Sequence, residues 1–131
     1  MTLEEAPQGV VDAVVVYDGR LLQVNAQGNG WWLPSGTAEL AETPQATAAR
    51  LVYELTGYLV DGSSLLRQEG PDGPGLADTE SAVLCQLLSE DPSSEAKLAP
   101  DQVRWISFTE AIADAGLPEQ VRVYLEGHMP V

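Results

Sequence analysis

The sequence predicts an α/β fold in which strands pack around one central helix and a further helix lies at the end. Three features predict it: a hairpin of β-branched residues near the start, a well-capped helix in the middle, and a strand followed by helical segments. Strands and helices mixed in this order are typical of an α/β sandwich. With 131 residues, the chain is predicted to be a single domain over 1–131.

The first predicted element is a hairpin. Val10–Tyr17 and Arg20–Val24 are rich in apolar and β-branched residues, and Asp18-Gly19 separates them. An Asp-Gly pair between two such runs is a strong signal for a two-residue turn. After the hairpin, residues 31–34 are predicted to be extended and Ser35-Gly36 to form a turn.

The central helix has sequence signals at both ends. Thr43 can accept hydrogen bonds from the free backbone N–H groups at its start, and Pro44 suits the first helical position. Gln45–Leu55 is a favourable helical run. Gly57 can adopt the left-handed conformation that ends many helices. The prediction is a helix that starts near Thr43 or Pro44 and stops before Gly57.

The second half is predicted to contain shorter strands separated by polar loops. The loop at 69–80 is rich in Gly, Pro and acids, and a loop of that length is often functional or mobile. The predicted elements are two strand pieces at 58–60 and 65–68 broken by 61–64, a loop at 69–80, a buried strand at 82–88, a loop at 90–100, a strand at 103–108, a short helix from Thr109 to Ala115, and a helix at 118–126.

The charge balance is strongly acidic, with 20 Asp and Glu against 6 Lys and Arg and a formal net charge of −14. Nucleic-acid binding depends on Lys and Arg that neutralise phosphates, and the scattered bases of this chain form no basic patch. The acidity predicts a solvated surface or, as an alternative, attraction of cations or a basic partner. Nucleic acid is not an expected partner.

The first residues bear on the cellular location of the protein, and its single cysteine and histidine bear on nucleophilic catalysis. The first residues lack the basic region of a signal peptide, and the apolar run near them is too short to span a membrane. We therefore expect a cytoplasmic protein that does not enter the membrane. The single cysteine, Cys85, lies in an apolar run and is predicted to be a buried thiol, and the single histidine, His128, lies near the end.

A motif covers positions 36–58, and Trp32-Leu-Pro leads into it. Its residues, in order, are Gly36, Glu39, Glu42, Arg50, Glu54, Gly57 and Tyr58. This pattern resembles the Nudix box, in which Gly, five residues, Glu and seven residues precede Arg-Glu-apolar-x-Glu-Glu-x-Gly-apolar. The resemblance implies an α/β/α sandwich with a mixed sheet. It also implies a hydrolase that cleaves a nucleoside diphosphate linked to another group.

The box departs from the family pattern at two positions of the central helix. Leu51 and Leu55 stand where the family has metal-binding glutamates, one helical turn apart on the same face. Mg²⁺ and Mn²⁺ need oxygen ligands, which leucine lacks. The resemblance therefore implies Mg²⁺ or Mn²⁺ as the cofactor if the chain is active, and no cofactor if it is not.

The box also suggests roles for its polar residues. Glu54 keeps a family ligand position, so it is the candidate metal ligand and, together with Glu39, the candidate catalytic residue. The resemblance implies that the arginine of the box is a structural partner of the first glutamate. Glu42 and Arg50 are therefore predicted to form a clamp between the loop and the helix, with a catalytic role as the alternative.

Gly36 and Trp32 are the candidates for substrate binding, and the Gly36 carbonyl could also complete a metal site. Further acids could contribute to a metal site, with Glu39 and Glu42 as the nearest candidates and Glu69, Asp78 or Glu80 reaching in from the long loop. Four aromatic residues could stack on a nucleobase: Trp31, Trp32, Tyr58 and Trp105. Each has a simpler interpretation as a solvated acid or a core aromatic residue.

Two functions remain open from the sequence. The first is a hydrolase of nucleoside-diphosphate derivatives whose catalysis is weak or lost because of Leu51 and Leu55. The second is a catalytically inactive domain that binds a nucleotide ligand or a protein. The expected partner is a small molecule of the nucleoside diphosphate type, without nucleic acid or membrane. A homodimer stays open, because the two leucines could pack either under a loop or against a second subunit.

Overall fold

The computed structural model describes residues 10–25, 28, 30–39, 41–66, 80–114 and 117–128. These residues form one mixed six-stranded sheet, three α-helices and a short 3₁₀ helix at Pro100–Gln102. The strands are β1 (Val10–Tyr17), β2 (Arg20–Val24), β3 (Ser35–Thr37), β4 (Val60–Leu66), β5 (Glu80–Leu87) and β6 (Val103–Ser107), and the helices are α1 (Pro44–Thr56), α2 (Phe108–Ile112) and α3 (Glu119–Gly127).

Strand β1 lies at the centre of the sheet. The strand order is β4-β5-β1-β2-β6, and β3 pairs with the first half of β1. The pairing of β1 with β5 is parallel, whereas β1–β2, β1–β3, β2–β6 and β4–β5 are antiparallel. The predicted mixed α/β sheet is therefore confirmed.

Both faces of β1 are apolar, which is why helices cover the sheet on two sides. Successive side chains of a strand point to opposite faces. Val11, Ala13 and Val15 pack in one core with residues of α1, whereas Val14 and Val16 pack in a second core with residues of α2 and α3. The result is an α/β/α sandwich with α1 on one face.

The predicted hairpin is confirmed. Asp18 has φ 54° and Gly19 has φ 71°, so both central residues of the turn are left-handed. Two positive φ values define a type I′ turn, whose twist matches that of the flanking strands. Asp tolerates this conformation better than most residues because its short side chain can hydrogen-bond locally.

The predicted limits of α1 are also confirmed. The Thr43 side chain accepts a hydrogen bond from the Ala46 backbone N–H at 3.1 Å, and Pro44 is the first helical residue. Gly57 ends the helix with φ 81° and donates its N–H to the Tyr53 carbonyl at 2.9 Å. Local signals are sufficient here because capping satisfies backbone groups that lie within the same few residues.

The turn predicted at Ser35-Gly36 is wrong. These residues belong to β3 and pair antiparallel with Val11 and Asp12 of β1. Ser35 Oγ also donates to the Asp12 carboxylate at 2.6 Å. The local sequence resembles a turn, but pairing with a distant strand supplies the hydrogen bonds that make it extended.

The break predicted at 61–64 is also wrong. The strand pieces on either side are one strand, β4, whose pairing with β5 continues across a register shift between Gly62 and Ser64. A bulge accommodates residues of low strand propensity, and bulges are common at the edge of a sheet, where β4 lies. The predicted positions 67–68 lie outside the described residues.

Several element ends differ from the prediction. Glu80, expected in a loop, begins β5, and the rest of that loop, 69–79, lies outside the described residues. Phe108, expected to end a strand, begins α2, which extends only to Ile112. The cap of α2 is Ser107 rather than Thr109, because the Ser107 side chain accepts a hydrogen bond from the first helical turn.

Candidate functional site

The candidate site is built where β3 and the loop after it lie against α1. Gly36 is part of β3, and its neighbour across the sheet is Val11 of β1. Beneath Gly36 lies Leu51 of α1, which is only 8% exposed. A Cβ atom added to Gly36 would lie 2.7 Å from Leu51 Cδ2, so the strand and the helix are in close contact.

Glu42 and Arg50 join the loop to the helix through a two-point hydrogen bond. Arg50 Nε donates to Glu42 Oε2 at 2.8 Å, and Nη2 donates to Glu42 Oε1 at 3.0 Å. Arg50 Nη2 also donates to the Thr37 carbonyl at 3.1 Å, which ties the end of β3 to the same guanidinium. Paired N–H donors match the two oxygens of a carboxylate and fix its orientation.

The Glu42 carboxylate is also bound from its own side of the loop. Oε1 accepts from the Glu39 backbone N–H at 2.9 Å and from Thr47 Oγ1 at 2.8 Å. The hydrogen bond from Arg50, supported by the Glu39 N–H, lowers the pKa of Glu42 from its ordinary 4.5 to about 2. The same contact raises the pKa of Arg50. Both groups are therefore charged at neutral pH.

These contacts hold the loop in a tight turn. The Glu42 N–H donates to the Glu39 carbonyl at 2.9 Å, and Ala41 between them has φ 65°. That left-handed conformation favours glycine, and an alanine adopts it only where surrounding contacts offset the strain. Sequence reasoning missed Thr47, although it lies in the first helical turn where a hydroxyl can reach back to the preceding loop.

The two candidate catalytic acids lie at the edge of this network. Glu54 Oε1 is 3.4 Å from Arg50 Nη1, and the Glu54 side chain is 42% exposed. Glu39 Oε2 is 3.8 Å from the same Nη1, and its side chain points largely into solvent. The structure thus brings both carboxylates to one guanidinium. The predicted metal candidates Glu69 and Asp78 lie outside the described residues, as does the side chain of Glu80.

The C-terminal end of α1 is covered by the segment before β6, which we name the 93–98 segment. The backbone N–H of Ser93 donates to the Gly57 carbonyl at 2.8 Å. The backbone N–H groups of Lys97 and Leu98 donate to the backbone carbonyls of Glu54 at 2.8 Å and Leu55 at 3.1 Å, respectively. The last carbonyls of a helix have no partner within the helix. Backbone donors from the 93–98 segment supply those partners, so hydrogen bonds join the segment to the end of the helix.

The aromatic candidates are distributed over separate regions. Trp31 is covered by Arg104, whose Cζ lies 4.4 Å from the Trp31 ring centroid. Trp32 is 40% exposed and pairs its backbone with Val24 of β2. Tyr58 and Trp105 contact each other with ring centroids 5.6 Å apart. Of the four, only Trp32 presents a large exposed ring, so the predicted base-stacking set does not form one platform.

Two neighbouring strands, β1 and β5, each bury a side chain that can ionise. Asp12 is 5% exposed and accepts from Ser35, next to Gly36. A single acid within the apolar strand β1 was the signal in the sequence for this interaction. Cys85 is fully buried, and burial raises its pKa to about 12, which confirms the predicted core thiol and leaves it unreactive.

A mixed sheet between two helical layers, with an acidic loop bound by an arginine of the first helix, defines an α/β/α sandwich of the Nudix hydrolase type. The chain belongs to the Nudix family, because residues 7–126 match the family model of the NUDIX domain. The resemblance seen in the sequence is confirmed.

Individual relatives agree with this assignment. A MutT-like protein of Streptomyces ambofaciens is 47% identical over 57 residues, which cover 43% of this chain and 37% of that protein. An ADP-ribose pyrophosphatase from Streptococcus suis has a TM-score of 0.67 at 17% identity and covers 95% of this chain and 94% of its own. A UDP-X diphosphatase has a TM-score of 0.64 at 19% identity, and the match covers 97% of this chain and 66% of that protein. The structural likenesses show the fold.

Nudix hydrolases generally use divalent metal ions, so the donor set of α1 can be tested for its fit to such an ion. Of the three glutamate positions in the family's helix, only Glu54 carries oxygen, and it lies beside the Arg50 guanidinium. Leu51 fills the space beneath Gly36 with methyl groups. Among the described residues, no three acids, histidines or cysteines lie together as a metal site. The side chains of α1 do not fit a metal ion chelated by the helix.

No described helix of this chain has both the length and the apolar character needed to cross a bilayer.

Proposed function

We propose that this chain is a Nudix domain for small molecules of the nucleoside diphosphate type, in which hydrolysis is weak or lost. The packing of Leu51 against Gly36 carries the proposal, because it places apolar surface where the family has a metal-binding carboxylate. Metal ions in such enzymes neutralise the diphosphate and activate a water molecule. Here the carboxylates of Glu54 and Glu39 both pair with the Arg50 guanidinium.

In this proposal Glu42 and Arg50 act as a structural clamp. The two-point hydrogen bond and the lowered pKa of Glu42 support that role, since a carboxylate engaged by four donors has little capacity left for a proton in transfer. Glu54 and Glu39 remain the candidate polar contacts for a ligand, with Gly36 and Trp32 as the neighbouring backbone and ring.

A second candidate is a catalytically inactive binding domain. The contact of Glu54 with Arg50 favours it, because the one carboxylate left in the helix's metal-binding set is already paired with a cation. This second candidate would bind a nucleotide ligand or a protein. Neither version takes a nucleic acid as its ligand, because a net charge of −14 repels a polyanion. The proposal places the protein in the cytoplasm and leaves homodimer formation to measurement.

The test is a turnover assay with Mg²⁺ and with Mn²⁺ on a panel of nucleoside diphosphate compounds that includes ADP-ribose. Calorimetry on the same panel, with and without metal, measures binding. We expect saturable binding of at least one compound and turnover well below the ~1–10³ s⁻¹ of typical enzymes.

Glu54→Gln is the test variant. Glu126→Gln is its control, because Glu126 is an exposed acid of α3. Turnover at an ordinary enzymatic rate that Glu54→Gln removes and Glu126→Gln leaves intact would show that the helix still catalyses. If no compound on the panel bound, the ligand class would be wrong. Slow turnover that depends on metal would indicate a weakened hydrolase, and binding with no turnover at all would indicate the catalytically inactive binding domain.

A further inference from the structure

A cleft separate from the candidate functional site lies at the opposite end of β1 from Gly36. It has a volume of about 140 Å³ and is lined by the aromatic residues Tyr17, Tyr58 and Trp105 and the charged residues Asp18, Arg20 and Glu90. We name it the aromatic cleft. Val11 pairs with Gly36, and Tyr17 ends the same strand, so the two sites are roughly 20 Å apart at about 3.3 Å per residue.

Three rings form the walls of the aromatic cleft. The Tyr17 and Trp105 centroids are 6.3 Å apart with an interplanar angle of 61°, and those of Tyr58 and Trp105 are 5.6 Å apart at 78°. Trp105 Nε1 donates to the Tyr58 hydroxyl at 3.2 Å, which holds these two rings in place. Because these rings meet at steep angles, they line the cleft from different directions instead of forming one parallel stack.

Carboxylates outnumber cations at the rim of the aromatic cleft. Glu90 is fixed there because it accepts a hydrogen bond from the Tyr17 hydroxyl. Asp18 contributes a second carboxylate from the hairpin turn, and Arg20 contributes the one guanidinium among the described lining residues. The surrounding protein has a formal net charge of −14, so its field adds to the attraction of a cation.

We propose that the aromatic cleft binds a methylated ammonium group. Such a cation has no N–H donor to satisfy, and it is held by the negative faces of aromatic rings together with nearby carboxylates. The volume suits a head group of that size and lies below the roughly 300–1,000 Å³ typical of sites for whole drug-sized ligands. An anionic ligand would instead meet Asp18 and Glu90.

This site is separate from the one in the proposed function, so either can fail alone. The test is a titration of the ¹⁵N-labelled protein with tetramethylammonium chloride at constant ionic strength, following the Trp105 indole N–H signal by NMR. A parallel titration uses tert-butanol, a neutral molecule of similar shape. We expect saturable shifts with the cation and none with the alcohol.

Variants test which groups hold the cation. Tyr17→Leu removes a ring face and is expected to weaken binding roughly twofold to fivefold, whereas Tyr17→Phe keeps the ring and loses less. Arg20→Gln removes a like charge and should tighten binding. Tyr53→Leu is the matched control, because Tyr53 and Tyr17 are both 42% exposed and Tyr53 lies on α1, outside the cleft.

Several results would overturn the proposal. They are the absence of saturable shifts, equal shifts with tert-butanol, equal weakening by Tyr53→Leu and Tyr17→Leu, or weaker cation binding in Arg20→Gln. Titrations with choline and with a short peptide that carries trimethyl-lysine distinguish the source of the group. Tighter binding of choline indicates a free small molecule, and tighter binding of the peptide indicates a modified protein.

Discussion

Gly36 and Leu51 are so close that any side chain at position 36 would displace the leucine: an added Cβ would lie 2.7 Å from Leu51 Cδ2 and 3.1 Å from Cδ1. Gly36→Ala is therefore expected to destabilise the fold by about 1–3 kcal/mol, the usual cost of overpacking a core. Leu51→Ala alone should cost about 2–5 kcal/mol. In the double variant the added methyl group enters the vacated space, so the two costs should not add.

The measurement for this pair is a double-mutant cycle from urea unfolding. Gly127→Ala is the control, because nothing lies within 4 Å of a Cβ at that position and its φ is not left-handed. Because Gly127 is the last residue of α3, alanine there should leave the free energy of unfolding unchanged or raise it slightly. Strict additivity of Gly36→Ala and Leu51→Ala would mean that the two residues do not contact each other in solution.

The second prediction concerns Glu42 and pH. Its pKa is lowered from 4.5 to about 2, so its ionised form stabilises the folded state. That contribution is complete above pH 4.5 and is lost as the pH falls towards 2. Glu42→Gln should thus lower Tm at neutral pH, and its Tm should converge with that of the parent in acid.

Thermal melts from pH 7 to pH 2 measure this convergence. Glu126→Gln serves as the control, since Glu126 is exposed and makes no ion pair with any described residue. Its Tm should follow that of the parent throughout. A Glu42→Gln deficit that stayed constant down to pH 2 would mean that the lost interaction does not depend on the charge of Glu42.

A third prediction restores the missing carboxylates. Leu51→Glu together with Leu55→Glu would place three acids, with Glu54, on one end of α1. Because Leu51 is only 8% exposed, the metal-free variant should lose several kcal/mol of stability from a buried charge. Mn²⁺ should raise its Tm by binding the native state, and diphosphate hydrolysis should become measurable.

Tyr53→Glu is the matched control for that variant, because it adds a carboxylate to an exposed face of the same helix. It should neither melt much lower nor gain stability from Mn²⁺. A folded double variant that bound Mn²⁺ no better than the parent and hydrolysed nothing would show that the pocket has diverged beyond these two leucines.

The fourth prediction separates strain from contact at the end of α1. Gly57 has φ 81°, and a Cβ there would lie 2.4 Å from the Ser93 carbonyl oxygen, whereas Gly28 has φ 79° with nothing within 4 Å. Gly28→Ala should cost about 1–2 kcal/mol from the left-handed backbone alone. Gly57→Ala should cost clearly more, because the 93–98 segment must also move.

Chemical denaturation of both variants gives the difference directly. Equal losses of unfolding free energy would indicate that the 93–98 segment moves away from Gly57 at little cost. A larger loss for Gly57→Ala, with faster hydrogen exchange at the Lys97 and Leu98 amides, would show that the segment and the helix end are held together.

The success of the sequence predictions depended on how local the deciding interactions are. The limits of α1 and the hairpin were predictable, because Thr43, Pro44, Gly57 and the Asp18-Gly19 turn act within a few residues. Strand β3 was not, because its hydrogen bonds come from β1. Local propensity at Ser35-Gly36 favours a turn, and only pairing with a distant strand overrides it.

The same distinction applies to the candidate site. The contact between Glu42 and Arg50 was predictable, because their spacing in the motif places one residue in the loop and the other on the helix that follows it. The cover of Trp31 by Arg104 could not be predicted, because it depends on the pairing of β2 with β6. The pairing of Leu51 with Gly36 likewise depends on how β3 crosses α1.

The parallel pairing of β1 with β5 affects how the chain is made. During synthesis, at about 5–20 residues per second, β1 and β2 leave the ribosome well before β5, which pairs with β1 from Val10 to Val16. Until β5 emerges, an apolar strand has an open edge along its whole length, and pairing between such distant segments forms slowly. Nascent chains can therefore associate with one another through β1 until β5 occupies that edge.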